Sequence, residues 1–227
     1  MKLAKVNTIL MQHRQWIKSE GQSGKKAILK RAVLPNIDLK QANLRRINLV
    51  GSDLSGASLQ RVNFQFANLV KANFEGANLS RSNLNDGDLA GINLRRANLK
   101  FCMLRRTNLL GAVLEGADLQ YTDFVQSDAT FTNLRGADLY AANLKKANFQ
   151  SAFFQQANLT AINMEYANLS YCTFFNANLS SANLYMAELE GADFNKARLD
   201  NLTINSENLQ YLPESVLQLY EKTFIVI

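Results

Sequence analysis

The sequence predicts an all-β solenoid, and three observations predict it. Every fifth position from Leu29 to Ile204 holds a large apolar residue, except that position 129 holds the smaller Ala129. We call this residue the centre of its unit. Of these 36 centres, 26 are Leu and seven are Phe. The residue before the centre is Asn or Asp in 26 units, and the residue two before it is Ala in 21 units. A repeat of this regularity outweighs every other feature of the chain as evidence of fold.

A five-residue period excludes a simple helix or strand. On an α-helix successive centres rotate by about 140° and spread around the cylinder, and in a straight strand they alternate between faces. The centres share one core only if every unit contains a turn. In extended geometry the small residue and the centre both point inward, and the Asn or Asp between them points outward. Asn and Asp suit that position because they tolerate turn dihedrals and hydrogen-bond the local backbone.

Units such as 42–46 and 177–181 resemble the pentapeptide-repeat family, whose consensus is Ala, Asp or Asn, Leu and two variable residues. The resemblance implies a right-handed quadrilateral parallel β-helix with four units, or twenty residues, in each coil. Residues 25–206 then form a rod of about nine coils. One side of this square carries only leucine centres, which we assign to the core: Leu39, Leu59, Leu79, Leu99, Leu119, Leu139, Leu159, Leu179 and Leu199.

Glycines at the last position of a unit agree with a coil of twenty residues. Folded at that period, they fall on only two adjacent sides of the square. We expect these corners to need a positive φ, as a type II turn does at its third residue, and the corners of the other two sides to differ more often. The glycines are Gly51, Gly56, Gly76, Gly91, Gly111, Gly116, Gly136 and Gly191.

The two ends of a solenoid need covering. Residues 1–24 are predicted to form an N-terminal cap, with a helix over 2–18 and then a glycine-containing loop; they resemble leaders of some bacterial family members. Residues 207–227 are predicted to form a C-terminal cap in which Pro213 begins a short helix that packs Val216, Leu217 and Tyr220 onto the rod. The apolar tail 224–227 is either part of that cap or a contact for a second copy.

Few residues suggest catalysis. His13, the only histidine, is expected to be a partly exposed residue of the cap. Cys102 and Cys172 occupy small inward positions too far apart for a disulfide, which favours free buried thiols over metal ligands. Asp38, Asp53, Asp88, Asp118, Asp123, Asp128, Asp138 and Asp193 all occupy the Asn/Asp position, which indicates a structural role. We therefore expect no enzyme, no cofactor and no metal site.

Charge is concentrated at the N-terminal end and on the variable positions. Residues 1–31 carry eight Lys and Arg against one Glu. Within residues 32–204 the variable outward positions hold 15 basic and six acidic residues. Such a surface either attracts an acidic partner or only keeps the rod solvated. Three basic pairs fall on one side of the square and form what we call the basic ridge: Arg45, Arg46, Arg105, Arg106, Lys145 and Lys146.

Aromatic residues at variable positions late in the rod offer a second candidate surface. Tyr166, Tyr171 and Tyr185 are the candidate contact residues there. Exposed aromatic side chains are typical of protein contact sites. Stacking between neighbouring coils accounts for them equally well.

These features favour a non-enzymatic, protein-binding or regulatory scaffold. The alternative comes from the resemblance, since some family members imitate duplex DNA and protect DNA gyrase and related topoisomerases; here the basic outward charge and the unbroken repeat disfavour it. Nucleic-acid binding is disfavoured because the basic region has few aromatics for stacking. We expect a bacterial, cytoplasmic protein that does not bind membranes, and a homodimer through a terminal cap stays open.

Overall fold

The structure, a computed structural model, describes residues 3–217 and 224–226. Parallel β-bridges join residues twenty apart throughout the repeat, from Ile28 with Asn48 to Asn183 with Thr203. Each coil therefore contains four units, which confirms the predicted twenty-residue coil. The expected number of nine coils rests on the repeat count and stays a prediction.

Each coil is a square with four faces and four corners. Faces 1, 2, 3 and 4 carry the centres that begin at Leu29, Leu34, Leu39 and Leu44 and recur every twenty residues. The two outward residues that follow a centre form the corner of the same number. The basic ridge thus belongs to corner 4, the glycines lie in corners 1 and 2, and the all-leucine side is face 3.

Residues 53–57 show why one unit turns. The Ala57 N–H donates to the Leu54 carbonyl at 3.1 Å, which closes a β-turn with Gly56 at φ +64°. The Asp53 Oδ1 accepts the Ser55 N–H at 3.0 Å, so the side chain fixes the backbone that enters the corner. All eight Asp residues that the sequence assigned to this position accept the N–H two residues ahead, which confirms their structural role.

The same turn recurs at every corner from Arg31 to Asn201. The second corner residue has a positive φ in eight glycines and in 27 other residues, with Glu20 outside the repeat as a further case. The positive φ expected at the eight glycines is confirmed. The expectation that corners 3 and 4 differ is wrong, because every corner of the square turns the chain in the same way. Residues such as Arg46 and Tyr166 adopt this conformation without glycine.

Adjacent coils are joined by regular backbone hydrogen bonds. The Leu54 N–H donates to the Asn73 carbonyl at 2.7 Å, and the Asn73 N–H donates to the Ser52 carbonyl at 2.8 Å. The N–H and the carbonyl of the residue before each centre thus both bond to the preceding coil, while its two neighbours bond to the next coil. An edge therefore remains at each end of the rod unless another segment covers it.

The centres fill the interior of the rod. On face 3, the leucines from Leu59 to Leu179 are fully buried and Leu199 is nearly so. Leu39 is only partly buried, so its assignment to the core needs correction: it belongs to the first coil and borders the open end of the rod. On face 2, Phe154, Phe174 and Phe194 stack with ring centroids 5.1 and 4.8 Å apart.

Ala129 is fully buried although it is the smallest centre. Two phenylalanines lie beside its position: Phe124 is the preceding centre along the chain, on face 4, and Phe149 is the next centre on face 1. Their rings meet edge to face, with centroids 5.8 Å apart. This contact supports the expectation that phenylalanine occupies the volume that Ala129 leaves.

At the N-terminal end, helix α1 spans Leu3–Lys18 and lies against the first coil. Val6 on this helix is fully buried. His13 is 1 % exposed, so the expectation of a partly exposed residue is wrong. It lies four and seven residues from Ile9 and Val6, on the face of α1 that packs against the rod.

Among its described residues, the C-terminal end contains four short elements: strand β1 (Leu202–Ile204), a 3-10 helix (Ser206–Tyr211), helix α2 (Glu214–Leu217) and strand β2 (Phe224–Val226). Pro213 was expected to be the first helical residue, but α2 begins one residue later. Strand β2 pairs in parallel with β1, with Thr203 opposite Ile225. The described part of the tail therefore extends face 4, while Tyr220 and Ile227 lie outside the described residues.

Two asparagine side chains bond backbone groups of the last coil. The Asn205 Oδ1 accepts the Met186 N–H at 3.1 Å, and the Asn208 amide donates to the Ala187 carbonyl at 2.6 Å. Both asparagines are buried. They replace bonds that a further coil would make.

Candidate interaction surfaces

Corner 4 brings most of the predicted contact residues together. The basic ridge, Tyr166 and Tyr185 all follow centres of face 4, so they lie along one edge of the rod. Arg46, Arg106, Lys146 and Tyr166 are exposed at the second corner position. Tyr171 follows a centre of face 1 and is therefore not part of this edge. The two candidate surfaces thus merge into one, without Tyr171.

Ion pairs neutralise half of the basic ridge. Arg106 holds both carboxylate oxygens of Asp86, at 2.7 and 3.0 Å, and this contact lowers the pKa of Asp86. The Lys145 Nζ lies 2.8 Å from Glu165, and the Arg105 guanidinium lies 3.6 Å from Asp123. The three cations are about half exposed and their carboxylates are mostly covered, so each pair contributes modestly to stability and its cation stays accessible to a competing carboxylate.

Aromatic rings lie beside four cations of the basic ridge, one of which, Lys145, is also in an ion pair. Arg45 and Arg46 lie 5.2 and 5.5 Å from the centroid of Phe66. Lys145 and Lys146 both lie 5.9 Å from the centroid of Tyr166, whose ring meets Tyr185 edge to face at 6.0 Å. The expectation of few aromatics in the basic region is therefore wrong at Phe66. The rings of Phe66 and Tyr166 thus each lie beside two cations while remaining exposed.

Corner 3 carries a continuous column that the sequence analysis missed. Arg81 lies 5.1 Å from the centroid of Phe101, and Phe101 stacks in parallel on Tyr121 at 5.1 Å. Tyr140 meets Tyr121 edge to face at 5.5 Å. Phe101 and Tyr121 are almost half exposed. The sequence contained a signal for this column, because positions 81, 101 and 121 are twenty residues apart and therefore align in neighbouring coils.

Corners 1 and 2 are less uniform. In corner 1 the Tyr171 hydroxyl donates to Glu190 at 2.9 Å, which raises the pKa of Tyr171. In corner 2, positions 75, 95, 115 and 135 alternate between Glu and Arg, and Arg95 lies 3.5 Å from Glu115. Opposite charges stacked in this way compensate each other locally.

The reactive side chains are held in inert environments. Both cysteines are buried, and each thiol donates to a backbone carbonyl of the preceding coil, Cys102 to Leu79 and Cys172 to Phe149, at 2.9 Å. Burial raises the pKa of each thiol to about 12, so neither forms a thiolate near neutral pH. Within residues 3–217 and 224–226, no three His, Cys, Asp or Glu are grouped to hold a metal ion.

His13 sits between α1 and the first coil. Its Nδ1 accepts the Ala27 N–H at 3.1 Å, and its ring stacks on Trp16 with centroids 5.7 Å apart. Burial lowers the pKa of His13 and the charge of Lys26 lowers it further, while the interaction of the imidazole with the Arg45 backbone carbonyl opposes this shift. The neutral imidazole thus serves as a hydrogen-bond acceptor for docking α1.

The family model described as pentapeptide repeats matches the chain in eight copies, over residues 25–56, 57–96, 92–128, 126–160 and 157–201. A search of curated proteins gave no match. In the part of the chain that the structure describes, no helix has the length and apolar character needed to cross a membrane.

Solved structures of pentapeptide repeat proteins are similar to the chain. HetL from Nostoc sp. strain PCC 7120, involved in heterocyst differentiation regulation, is 25% identical, with 83% of this chain and 94% of HetL covered and a TM-score of 0.41. A trypsin-treated variant of QnrB1, a plasmid-mediated fluoroquinolone resistance protein, is 17% identical, with 78% and 92% covered and a TM-score of 0.55. A protein of the Arabidopsis thaliana thylakoid lumen is 28% identical, with 48% and 70% covered and a TM-score of 0.35.

Proposed function

The chain belongs to the pentapeptide-repeat family, and from that premise we propose that it is a non-enzymatic scaffold that binds a protein partner along corner 4. The observation that carries the proposal is the composition of this edge. Between Arg46 and Met186 it presents Arg, Lys, Phe, Tyr and Met side chains in one line. Seven coil spacings separate these two residues, so the line is about 34 Å long.

This composition fits a protein partner with an acidic surface. Arg, Tyr, Phe and Met are the residue types enriched in protein interfaces. The side chains of Arg106 and Lys145 are 52 % and 37 % exposed although Asp86 and Glu165 hold them, so a partner's carboxylates can approach both cations from the solvent side. The stacked rings of Phe66 and Tyr166 hold the cations in place and supply apolar contact beside them.

Rigidity favours this role. The backbone between coils is hydrogen-bonded at every unit, and each corner repeats the same turn. A surface that is already ordered loses little conformational entropy on binding, which leaves more of the contact energy as affinity. The rod therefore holds its contact residues at fixed distances from one another.

Topoisomerase protection by DNA mimicry receives less support from the surface. An imitation of duplex DNA requires rows of negative charge, whereas corner 4 presents cations and the acidic residues Asp86 and Glu165 are engaged by them. The likeness to QnrB1, at 17% identity, concerns the fold alone. A gyrase supercoiling assay tests this alternative directly, and we expect no effect of the protein. For the compartment we keep the cytoplasm, where buried free thiols such as Cys102 stay reduced.

A pair of matched variants tests the proposal by capture from the native host. The corner 4 variant combines Arg46→Gln, Lys146→Gln and Tyr166→Ala, none of which is in an ion pair among the described residues. The control on the opposite corner 2 combines Arg96→Gln, Lys196→Gln and Phe175→Ala, which removes the same kinds of side chain.

We expect one protein to be retained by the wild type and by the corner 2 control but lost from the corner 4 variant. Its retention should fall as salt rises, since exposed charges are screened beyond about 10 Å at 0.1 M ionic strength. Retention of the same proteins by both variants would contradict the proposal. Melting temperatures of the two variants show whether both remain folded.

A further inference from the structure

The N-terminal end of the rod has an unpaired ladder edge. In the first coil, the N–H and carbonyl of Val33 and of Asp38 face away from the second coil, and no described residue pairs with them. In later coils the equivalent N–H groups, such as that of Asp53, donate to the preceding coil. Exposed strand edges of this kind are templates for pairing with another chain.

Apolar surface surrounds this edge. Ile28 and Val33 are 61 % and 62 % exposed, more than any other large apolar side chain of the described residues, and Met11 on α1 is 55 % exposed. Two grooves, of about 510 and 550 Å³, run beside α1. Leu39 borders both grooves, which explains its incomplete burial.

The positive charge of the N-terminal end favours a negatively charged partner. Residues 1–31 carry eight Lys and Arg against one Glu. Arg14 and Lys40 border the larger groove, while the smaller one is lined mainly by apolar residues such as Val33 and Ile37. Two copies meeting at this end would oppose like charges at short range, which disfavours self-association. Charge complementarity instead favours an acidic segment of another protein.

The opposite end shows how such a segment binds. Strand β2 returns to the last coil and pairs with β1 in parallel and in register. It takes the position that a further coil would take on face 4, with Val226 packed against the core. The ladder of this rod thus accepts an extended segment as an additional strand.

We propose that faces 2 and 3 of the first coil bind an extended segment of a partner protein by strand addition, and that this segment carries both apolar and acidic side chains. Its backbone pairs with Val33 and Asp38, its apolar side chains enter the grooves beside α1, and its carboxylates approach Arg14 and Lys40. Pairing through main-chain bonds supplies affinity, while the grooves and cations supply specificity. This surface is separate from corner 4 and does not depend on the function proposed for it.

A labelled synthetic peptide of two acidic units, each Ala-Asp-Leu-Glu-Glu, is the probe, and fluorescence anisotropy measures its binding to the full chain. Val33→Pro is the decisive variant, because the Val33 N–H makes no bond in the rod, so its removal costs the rod no hydrogen bond and takes one from an added strand. Val33→Glu is the second variant, since it places a negative charge in the path of the peptide. Val113→Glu is the control, at the same position of face 2 four coils away.

We expect the wild type and Val113→Glu to bind the acidic peptide, and each Val33 variant to bind it about tenfold more weakly, the equivalent of one lost backbone hydrogen bond or one repulsive charge. A peptide of two Ala-Asn-Leu-Lys-Lys units should not bind. No binding of the acidic peptide to the wild type overturns the proposal, as does equal binding by the Val33 variants. Sedimentation that reveals a dimer broken by Val33→Glu also overturns it, in favour of a second copy.

Discussion

At the scale of single residues, the alternation of inward and outward positions decides what each substitution costs. Leu79 is a fully buried centre of face 3, and Ser80 is the next residue, at a corner. We expect Leu79→Asp to lower the free energy of unfolding by more than about 4 kcal/mol, because it buries an unpaired charge. Ser80→Asp should change it by less than about 0.5 kcal/mol. Denaturant unfolding measures both, and equal losses would refute the inward position of the centres.

Ala129 tests how completely the core is filled. Ala129 is fully buried, and the rings of Phe124 and Phe149 meet edge to face, with centroids 5.8 Å apart. We expect Ala129→Leu to lower the free energy of unfolding by about 1 to 3 kcal/mol through overpacking. A gain in stability in the same measurement would reveal an unfilled cavity at this position.

The inward or outward position of most residues could be predicted from the sequence. The five-residue period identifies Leu79 as inward and Asp53 as a residue that bonds its own corner. His13 was misjudged although it falls on the packed face of α1 with Val6, because an ionisable side chain is seldom buried in an apolar contact. The spacing of twenty residues predicts that Asp86 and Arg106 lie in neighbouring coils. It does not predict their ion pair, because side-chain rotamers decide whether two such neighbours meet.

At the scale of structural elements, the corners share one turn but differ in what surrounds it. Gly136 has φ +61° and open space around it, whereas a Cβ added to Gly191 at φ +65° would lie 2.5 Å from Cδ1 of Tyr171. We expect Gly136→Ala to lower the free energy of unfolding by about 1 kcal/mol, the cost of a left-handed conformation. Gly191→Ala should cost more, because the Tyr171 ring must also move. Equal melting temperatures for the two variants would contradict this distinction.

The docking of α1 should depend on pH through His13. An accessible histidine titrates at its usual pKa of 6.5, and burial lowers the pKa of docked His13 below that value. The stabilisation from docking is therefore complete above pH 6.5 and is lost as the pH falls towards the lowered pKa. Protonation also removes the acceptor for the Ala27 N–H and places a second positive charge beside Lys26.

Trp16 reports this transition because it is the only tryptophan and stacks on His13. We expect its fluorescence to shift to longer wavelength between pH 7 and 5 in the wild type and to stay constant in His13→Gln, whose side chain does not titrate. Carboxylates with a lowered pKa, such as Asp53, titrate below this window. An identical shift in His13→Gln would rule out His13 as the titrating group.

At the scale of the whole molecule, the sequence predicted the shape more completely than the surface. The twenty-residue coil, the inward centres and the absence of interruptions between Pro35 and Pro213 follow from the repeat itself. The composition of each edge does not, because the five-residue pattern leaves the corner positions free. Aligning the chain at twenty residues places Phe66 among the cations of corner 4 and joins Phe101 to Tyr121, but only the structure shows which rings and charges meet.

Hydroxyl-radical footprinting of the complex with the captured partner shows whether the partner binds along corner 4, because it measures the solvent accessibility of individual side chains. We expect oxidation of Phe66 and Tyr166, in corner 4, to fall when the partner binds, while oxidation of Phe175 in corner 2 stays unchanged. Protection of Phe175 with no change at Phe66 and Tyr166 would contradict binding along corner 4.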